Sequence, residues 1–147
     1  MGKEKKKEDT SSENIKVLVR MRPLSTRELD AGHRCAVELS GAENTVTVNH
    51  VCGAPDRWTF DAVINNAFSQ KDIYGQFIQP LVESVLEGFN ATVFAYGQSG
   101  SGKTHTMTGK LDMMGLIPRT FRNIFEVVRN NRESGKKFCI FCSFMEL

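Results

Sequence analysis

The sequence predicts an α/β fold, a mixed central sheet flanked by helices, and three observations carry that prediction. Ile15 to Arg22 alternates in the manner of a strand, with Val17, Val19 and Met21 on one face. A helical stripe of apolar residues begins after Ser69. The nearly all-apolar segment Ala91–Tyr96 then runs directly into a glycine-rich loop. Strands that alternate with helices build layered architectures with a parallel element at the centre.

The elements follow in order. Residues 1–14 place four lysines beside three glutamates and one aspartate, with no aliphatic side chain after Met1. Such a segment cannot bury apolar surface, and a solvated, disordered lead-in is expected. Pro23 ends the first strand. Short strands are expected around Val37–Leu39, Thr45–Val48 and Trp58–Phe60, separated by Gly41, Asn49, Gly53 and Pro55, which suggests a small meander. Ser69-Gln70-Lys71-Asp72 has the form of a capping box, and Ile73, Phe77, Leu81, Val85 and Phe89 continue the stripe behind it. Gly88 is the expected stop, and Pro80 predicts a kink. Ala91–Tyr96 reads as a strand buried on both faces. Pro118 suits a first helical position, and Phe121, Ile124, Phe125 and Val128 read as a core-facing stripe. Phe138–Met145 is expected to be a closing strand.

Composition narrows the function. Of 147 residues, 40% are hydrophobic, and Lys plus Arg (19) nearly balances Asp plus Glu (17) for a net charge of +2. That is ordinary globular composition and excludes collagen-like, mucin-like and wholly disordered chains. It offers no general attraction to nucleic acid or anionic lipid, so no nucleic-acid partner is expected. The longest apolar run, Phe138–Cys142, falls far short of the roughly 18 residues that span a membrane. No apolar stretch follows the N-terminal lysines to make a secretory signal, so a soluble intracellular protein without membrane insertion is expected. Four cysteines are too sparse for a disulfide scaffold. Cys139 and Cys142 are spaced C-x-x-C, but on a strand residues i and i+3 point to opposite faces. Packing roles without zinc are expected for both. His33 and His50 have no partner pattern, and Trp58 reads as a packing residue.

Gly97-Gln98-Ser99-Gly100-Ser101-Gly102-Lys103-Thr104 fits G-x-x-x-x-G-K-[ST] at every fixed position. Glycines let the backbone curl so that successive N–H groups line one concavity and cradle phosphate oxygens. Lys103 supplies a cation for the terminal phosphates, and the Thr104 hydroxyl is a hard oxygen ligand suited to Mg²⁺. A helix starting here would aim its N-terminal dipole at the same anion. The pattern predicts a nucleoside-triphosphate site of the P-loop NTPase type. The guanine signature N-K-x-D does not occur, which favours ATP over GTP.

The surroundings of this loop resemble the motor domains of kinesins. Phe94-Ala95-Tyr96 through His105-Thr106-Met107 looks like the family's phosphate-loop segment. Val19-Arg20-Met21-Arg22-Pro23-Leu24 resembles its first strand, with an R-x-R-P element. Phe60-Asp61-Ala62-Val63, Pro80-Leu81-Val82, Leu86–Thr92 and Gly115-Leu116-Ile117-Pro118-Arg119 agree in order and spacing. The resemblance implies that Arg20, Arg22 and Pro23 hold adenine on one side and His105 on the other. It implies that Lys103 and Thr104 serve catalysis, with ATP and Mg²⁺ as cofactors. Microtubules are the implied partner, bound through the complete motor domain, and the implied setting is the cytoplasmic cytoskeleton. Two further nucleotide-sensing loops of the family, of the N-x-x-S-S-R and D-x-x-G types, are expected beyond residue 147. Residues 15–147 therefore read as the N-terminal part of a motor domain, inactive by itself, in a fragment or a truncated gene product. The alternative is a truncated nucleotide-binding module that lacks hydrolysis and acts as a regulator or partner.

Overall fold

The computed structural model describes residues 15–131 and 137–145, so the charged lead-in expected over 1–14 lies outside the described residues. The chain divides after Asn65 into two compact units.

In the first unit, β1 (Leu18–Arg20) pairs in parallel with β5 (Ala62–Ile64), Val19 opposite Val63. The strand is shorter than the Ile15–Arg22 run, because among the described residues its one ladder partner has three residues. Adjacent Val63 and Ile64 are both buried, Ile64 to 2% exposure, as parallel strands covered on both faces require. Asp61 anchors the entrance to this pair by accepting the Val17 N–H at 2.7 Å. Between the two strands the chain makes α1 (Thr26–Asp30) and a separate antiparallel sheet. That sheet is the expected meander: β2 (Val37–Ser40), β3 (Thr45–Val48) and β4 (Asp56–Thr59) in sequential order. Asn44, at φ +51, makes the left-handed turn between the first two, a conformation asparagine tolerates better than most residues. Thr45 and Val46 are buried, whereas β4 is exposed throughout. Trp58, at 48% exposure, is therefore a surface residue and not a packing one. His50 has a partner that a linear pattern does not reveal: its Nε2 lies 2.9 Å from Asp56 Oδ2 across the β3–β4 turn.

Ser25 caps α1, accepting the Glu28 N–H at 3.3 Å, while Glu28 Oε2 accepts the Ser25 N–H at 2.7 Å. Arg22 closes on the same carboxylate, donating to Oε2 at 2.7 Å and Oε1 at 2.6 Å. This fork, together with the Ser25 donors, holds the Glu28 carboxyl far below the usual carboxylate range.

In the second unit the Ser69 capping box is present, with Asp72 accepting from the Ser69 N–H at 2.9 Å. It starts α2 (Gln70–Ile73), which passes into a π-helical segment, Tyr74–Ile78, and then α3 (Gln79–Leu86). The wide turn stands immediately before Pro80, the position of the expected kink. Pro80 has no N–H to continue the ladder, and the Gln79 N–H just before it reaches back five residues to the Tyr74 carbonyl. Gly88, at φ +111, ends the helix as expected.

Ala91–Tyr96 forms no strand and is not buried; Phe94 is 77% exposed. Residues 137–145 likewise form no strand, and Phe141 is 92% exposed. A buried strand needs a hydrogen-bonding neighbour on each side, and no strand among the described residues pairs with either segment. Cys139 and Cys142 are accordingly exposed and not packed. The last helices are α4 (Lys103–Met107) and α5 (Leu116–Asn130). Helix α5 starts two residues before Pro118, capped by Gly115. Of the stripe expected in the core, Phe121 and Phe125 remain exposed; Leu116 is the buried residue of α5. Val82, Val85, Val93, Leu116, Phe121 and Ile124 line a cavity of about 290 Å³. No helix among the described residues is long and apolar enough to cross a membrane.

Between α4 and α5 the chain doubles back through a bridge of Gly109 with Met114. Gly109 has φ +75, and a Cβ there would lie 2.2 Å from the Met113 carbonyl oxygen and 2.4 Å from the Gly115 nitrogen. Gly109→Ala should therefore destabilise the second unit by more than about 2 kcal/mol in equilibrium urea unfolding. Gly41→Ala, where a Cβ meets nothing within 4 Å, should leave the midpoint in place.

The two capping boxes also predict an acid dependence. The Glu28 and Asp72 carboxyls are both held below their ordinary values by the donors of Arg22, Ser25 and Ser69. With folded values below unfolded ones, their stabilisation is fully present above the unfolded carboxylate range, about pH 4. It is lost as pH falls through the folded values. Thermal unfolding followed by circular dichroism should show the midpoint falling in acid. The double variant Glu28→Gln, Asp72→Asn should be less stable at neutral pH and flatter in acid.

Candidate functional site

The glycine-rich loop leaves residue 96 and closes at α4. Three of its glycines carry positive φ: Gly97 at +155, Gly100 at +78 and Gly102 at +99. Left-handed positions set among ordinary ones curl the chain into a concave turn, which the Ser101 N–H tightens by donating to the Gln98 carbonyl at 3.2 Å. At Gly97 the need is also steric, since a Cβ would lie 2.6 Å from Ser101 Oγ. Gly102 then serves as the N-cap of α4, and the Thr106 N–H donates to its carbonyl at 2.9 Å.

Lys103 is the first residue of α4, and its side chain folds back over the loop. Its Nζ donates to the Gly97 carbonyl at 2.7 Å and the Gln98 carbonyl at 2.9 Å. An ammonium has three donors; here two grip the loop's own backbone and fix the position of the charge. Thr104 follows on the exposed side of the helix. Ser99 and Gly100 are exposed at the tip of the loop. The helix expected to aim its dipole here has five residues, so the loop amides and the lysine dominate the local field.

These residues fit a magnesium–triphosphate group. A cradle that a Cβ at Gly97 would obstruct, an oriented ammonium and an adjacent exposed hydroxyl are the donor set such an anion requires. Among the described residues no group of three or more His, Cys, Asp or Glu side chains could hold a metal ion. A cation here would instead need the Thr104 hydroxyl and oxygens brought by the ligand.

The structure brings together Gly97, Gln98, Ser99, Gly100, Ser101, Gly102, Lys103, Thr104 and His105 on one loop and helix of the second unit. Arg20, Arg22 and Pro23 belong to the first unit. Arg20 ends β1, where burial lowers the pKa of its guanidinium. Arg22 is engaged edge-on by Glu28 and donates to the Pro23 carbonyl at 3.0 Å. A fork of this kind uses the N–H edge of the guanidinium, whereas stacking on a heterocycle uses its face.

Two contacts escape a reading of the sequence. Glu28, six residues from Arg22, orients that arginine; the signal was the S-x-x-E spacing from Ser25. Gln70, buried to 6% exposure, donates from Nε2 to the His105 carbonyl at 2.5 Å, across 35 residues of sequence that no local pattern spans. The spacing D-x-x-G, expected only beyond the chain, occurs within it at Asp72–Gly75 and Asp112–Gly115. The first aspartate caps α2, and the second lies in the turn before α5, so neither copy forms part of the loop around Lys103.

Comparison with known proteins agrees with this geometry. A family model described as Kinesin motor domain matches residues 20–147. The chain is 39% identical over 144 residues to Kinesin-like protein KIF3C of Pongo abelii, covering 93% of this chain and 18% of that protein. It is 39% identical over 142 residues to human Kinesin-1 heavy chain, covering 95% of this chain and 14% of that protein. Kinesin-like protein klp-20 of Caenorhabditis elegans is 38% identical over 141 residues, covering 92% and 22%. The chain thus spans about a fifth or less of the length of these relatives. With most of its length matched by that family's model, the chain belongs to the kinesin motor domain family.

Proposed function

We propose that residues 15–147 form the ATP-binding part of a microtubule-based motor domain, within a P-loop NTPase fold. The observation that carries this reading is the loop Gly97–Thr104, curled by three left-handed glycines and gripped by Lys103, in a chain of the kinesin family. ATP with Mg²⁺ is the proposed cofactor, microtubules the partner and the cytoplasmic cytoskeleton the setting, with no role for nucleic acid or membrane insertion. Similarity to proteins named as kinesins favours this motor over a regulatory module without hydrolysis.

When bound, Mg·ATP would supply the phosphoryl bond to be cleaved and a cation to offset the phosphate charge. The chain's own residues bind and orient. The amides of the curled loop, other than the Ser101 N–H that serves the Gln98 carbonyl, would hold phosphate oxygens, and the third N–H of Lys103 would neutralise charge on the terminal phosphate. Thr104 gives the cation a hydroxyl ligand. Family resemblance assigns adenine contacts to Arg20, Arg22 and Pro23 and, separately, to His105.

Lys103→Ala should lower the microtubule-stimulated ATPase rate of a motor containing this chain by at least about 10²-fold. Gly97→Ala should weaken Mg·ATP binding through crowding of Ser101, and Thr104→Ala should raise the magnesium concentration required. Steady-state phosphate release against magnesium and microtubule concentration reads all three. Unchanged turnover in Lys103→Ala would remove the site assignment.

The 147-residue chain alone should bind Mg·ATP weakly and in preference to Mg·GTP. Filter binding with competition between the two nucleotides measures this, and stronger retention of GTP would overturn the adenine assignment.

A further inference from the structure

Helix α4 has an unresolved end. In an α-helix the carbonyl of residue i accepts from the N–H of residue i+4, so the His105 carbonyl should be served by Gly109. Gly109 instead turns left-handed, and its N–H reaches the Thr104 carbonyl at 3.1 Å, beside the Thr108 N–H at 2.8 Å. One carbonyl thus receives two donors, and the next receives none from its own helix. The missing donor comes from Gln70 Nε2 at 2.5 Å. Gln70 is well placed to give it. It is the first residue of α2, held directly behind the Ser69–Asp72 capping box and followed by buried Ile73 and Tyr74. At 6% exposure the Gln70 amide has little water around it, and losing the donor removes the side-chain partner of the His105 carbonyl.

We propose that Gln70 is a positioning residue for the phosphate loop, acting as a side-chain cap on α4 that fixes the placement of Lys103 and Thr104. This rests on the nucleotide-binding reading above. Gln70 acts through the His105 carbonyl, one residue beyond Thr104 and two beyond Lys103. The requirement is for a donor. Methionine keeps the length and supplies no N–H, and a glutamate carboxylate would set negative charge against the carbonyl oxygen.

The test uses Gln70→Met and Gln70→Glu in the 147-residue chain, read by hydrogen–deuterium exchange and by displacement of a fluorescent ATP analogue with Mg·ATP. In both variants the amides of Thr106, Thr108 and Gly109 should exchange about tenfold faster, with α5 unchanged. Mg·ATP affinity should fall by about tenfold. Faster exchange spread evenly over residues 66–131 would make Gln70 a packing residue and overturn the proposal. Unaltered exchange over residues 103–109 would overturn it as well. A wild-type chain that binds no Mg·ATP would overturn the nucleotide reading, while the exchange comparison would still decide the cap.

Discussion

A five-residue helix closes too few backbone hydrogen bonds to offset the cost of its own nucleation in water. Helix α4 is that short, and it carries Lys103 and Thr104, the two side chains to which we assign the proposed chemistry. Its order is therefore borrowed from what stands at its ends. Gly102 opens it in a left-handed conformation, and Gly109 closes it in another. The doubled-back turn of residues 109–115 packs so closely that Gly115 could not carry a Cβ, which would meet the Thr106 and Met107 carbonyls at 2.6 Å. Gln70 ties the remaining carbonyl to a distant helix. The phosphate loop is rigid only to the extent that these supports are.

The lysine shows the same dependence from the other side. A long side chain with a mobile charge would sample many rotamers, and ordering it on a ligand would cost entropy at the moment of binding. Two bonds to the Gly97 and Gln98 carbonyls settle part of that cost beforehand. They also neutralise carbonyl dipoles that would otherwise face an incoming anion. Loop and lysine are thus one device, and neither residue type alone would make it.

Much of this was legible in the sequence because the signals were local. The capping box at Ser69 and the antiparallel meander of β2–β4 follow from spacing and turn residues within a few positions. So does the curled loop at Gly97. The parallel partner of β1 was not legible, since Ala62–Ile64 is too short for any periodicity to mark it as a strand. What failed was non-local. The apolar runs 91–96 and 138–145 have the composition of interior strands, yet composition cannot supply a neighbouring strand, and both are exposed among the described residues. The stripe of α5 has helical spacing, but how much of it is covered depends on what packs there, and Phe125 shows that half of it is not. Gln70 and His105 are 35 residues apart, beyond the reach of any pattern.

The π-helical segment Tyr74–Ile78 has a geometric consequence for how this part of the molecule can vary. One residue more per turn amounts to a rotation of roughly 100° between the helix before it and the helix after it. The face that presents Gln70 and the face that presents Val82 and Val85 are therefore set out of phase, and a wheel drawn straight through residues 70–86 places one of them on the wrong side. Removing a single residue between Tyr74 and Ile78 would restore a continuous α-helix and force a choice. Either the amide of Gln70 swings off His105, or the valines leave the apolar cavity. The segment works as a phase shifter, so the chain should accept substitutions at exposed Gly75 and Gln76 far more readily than any change in its length.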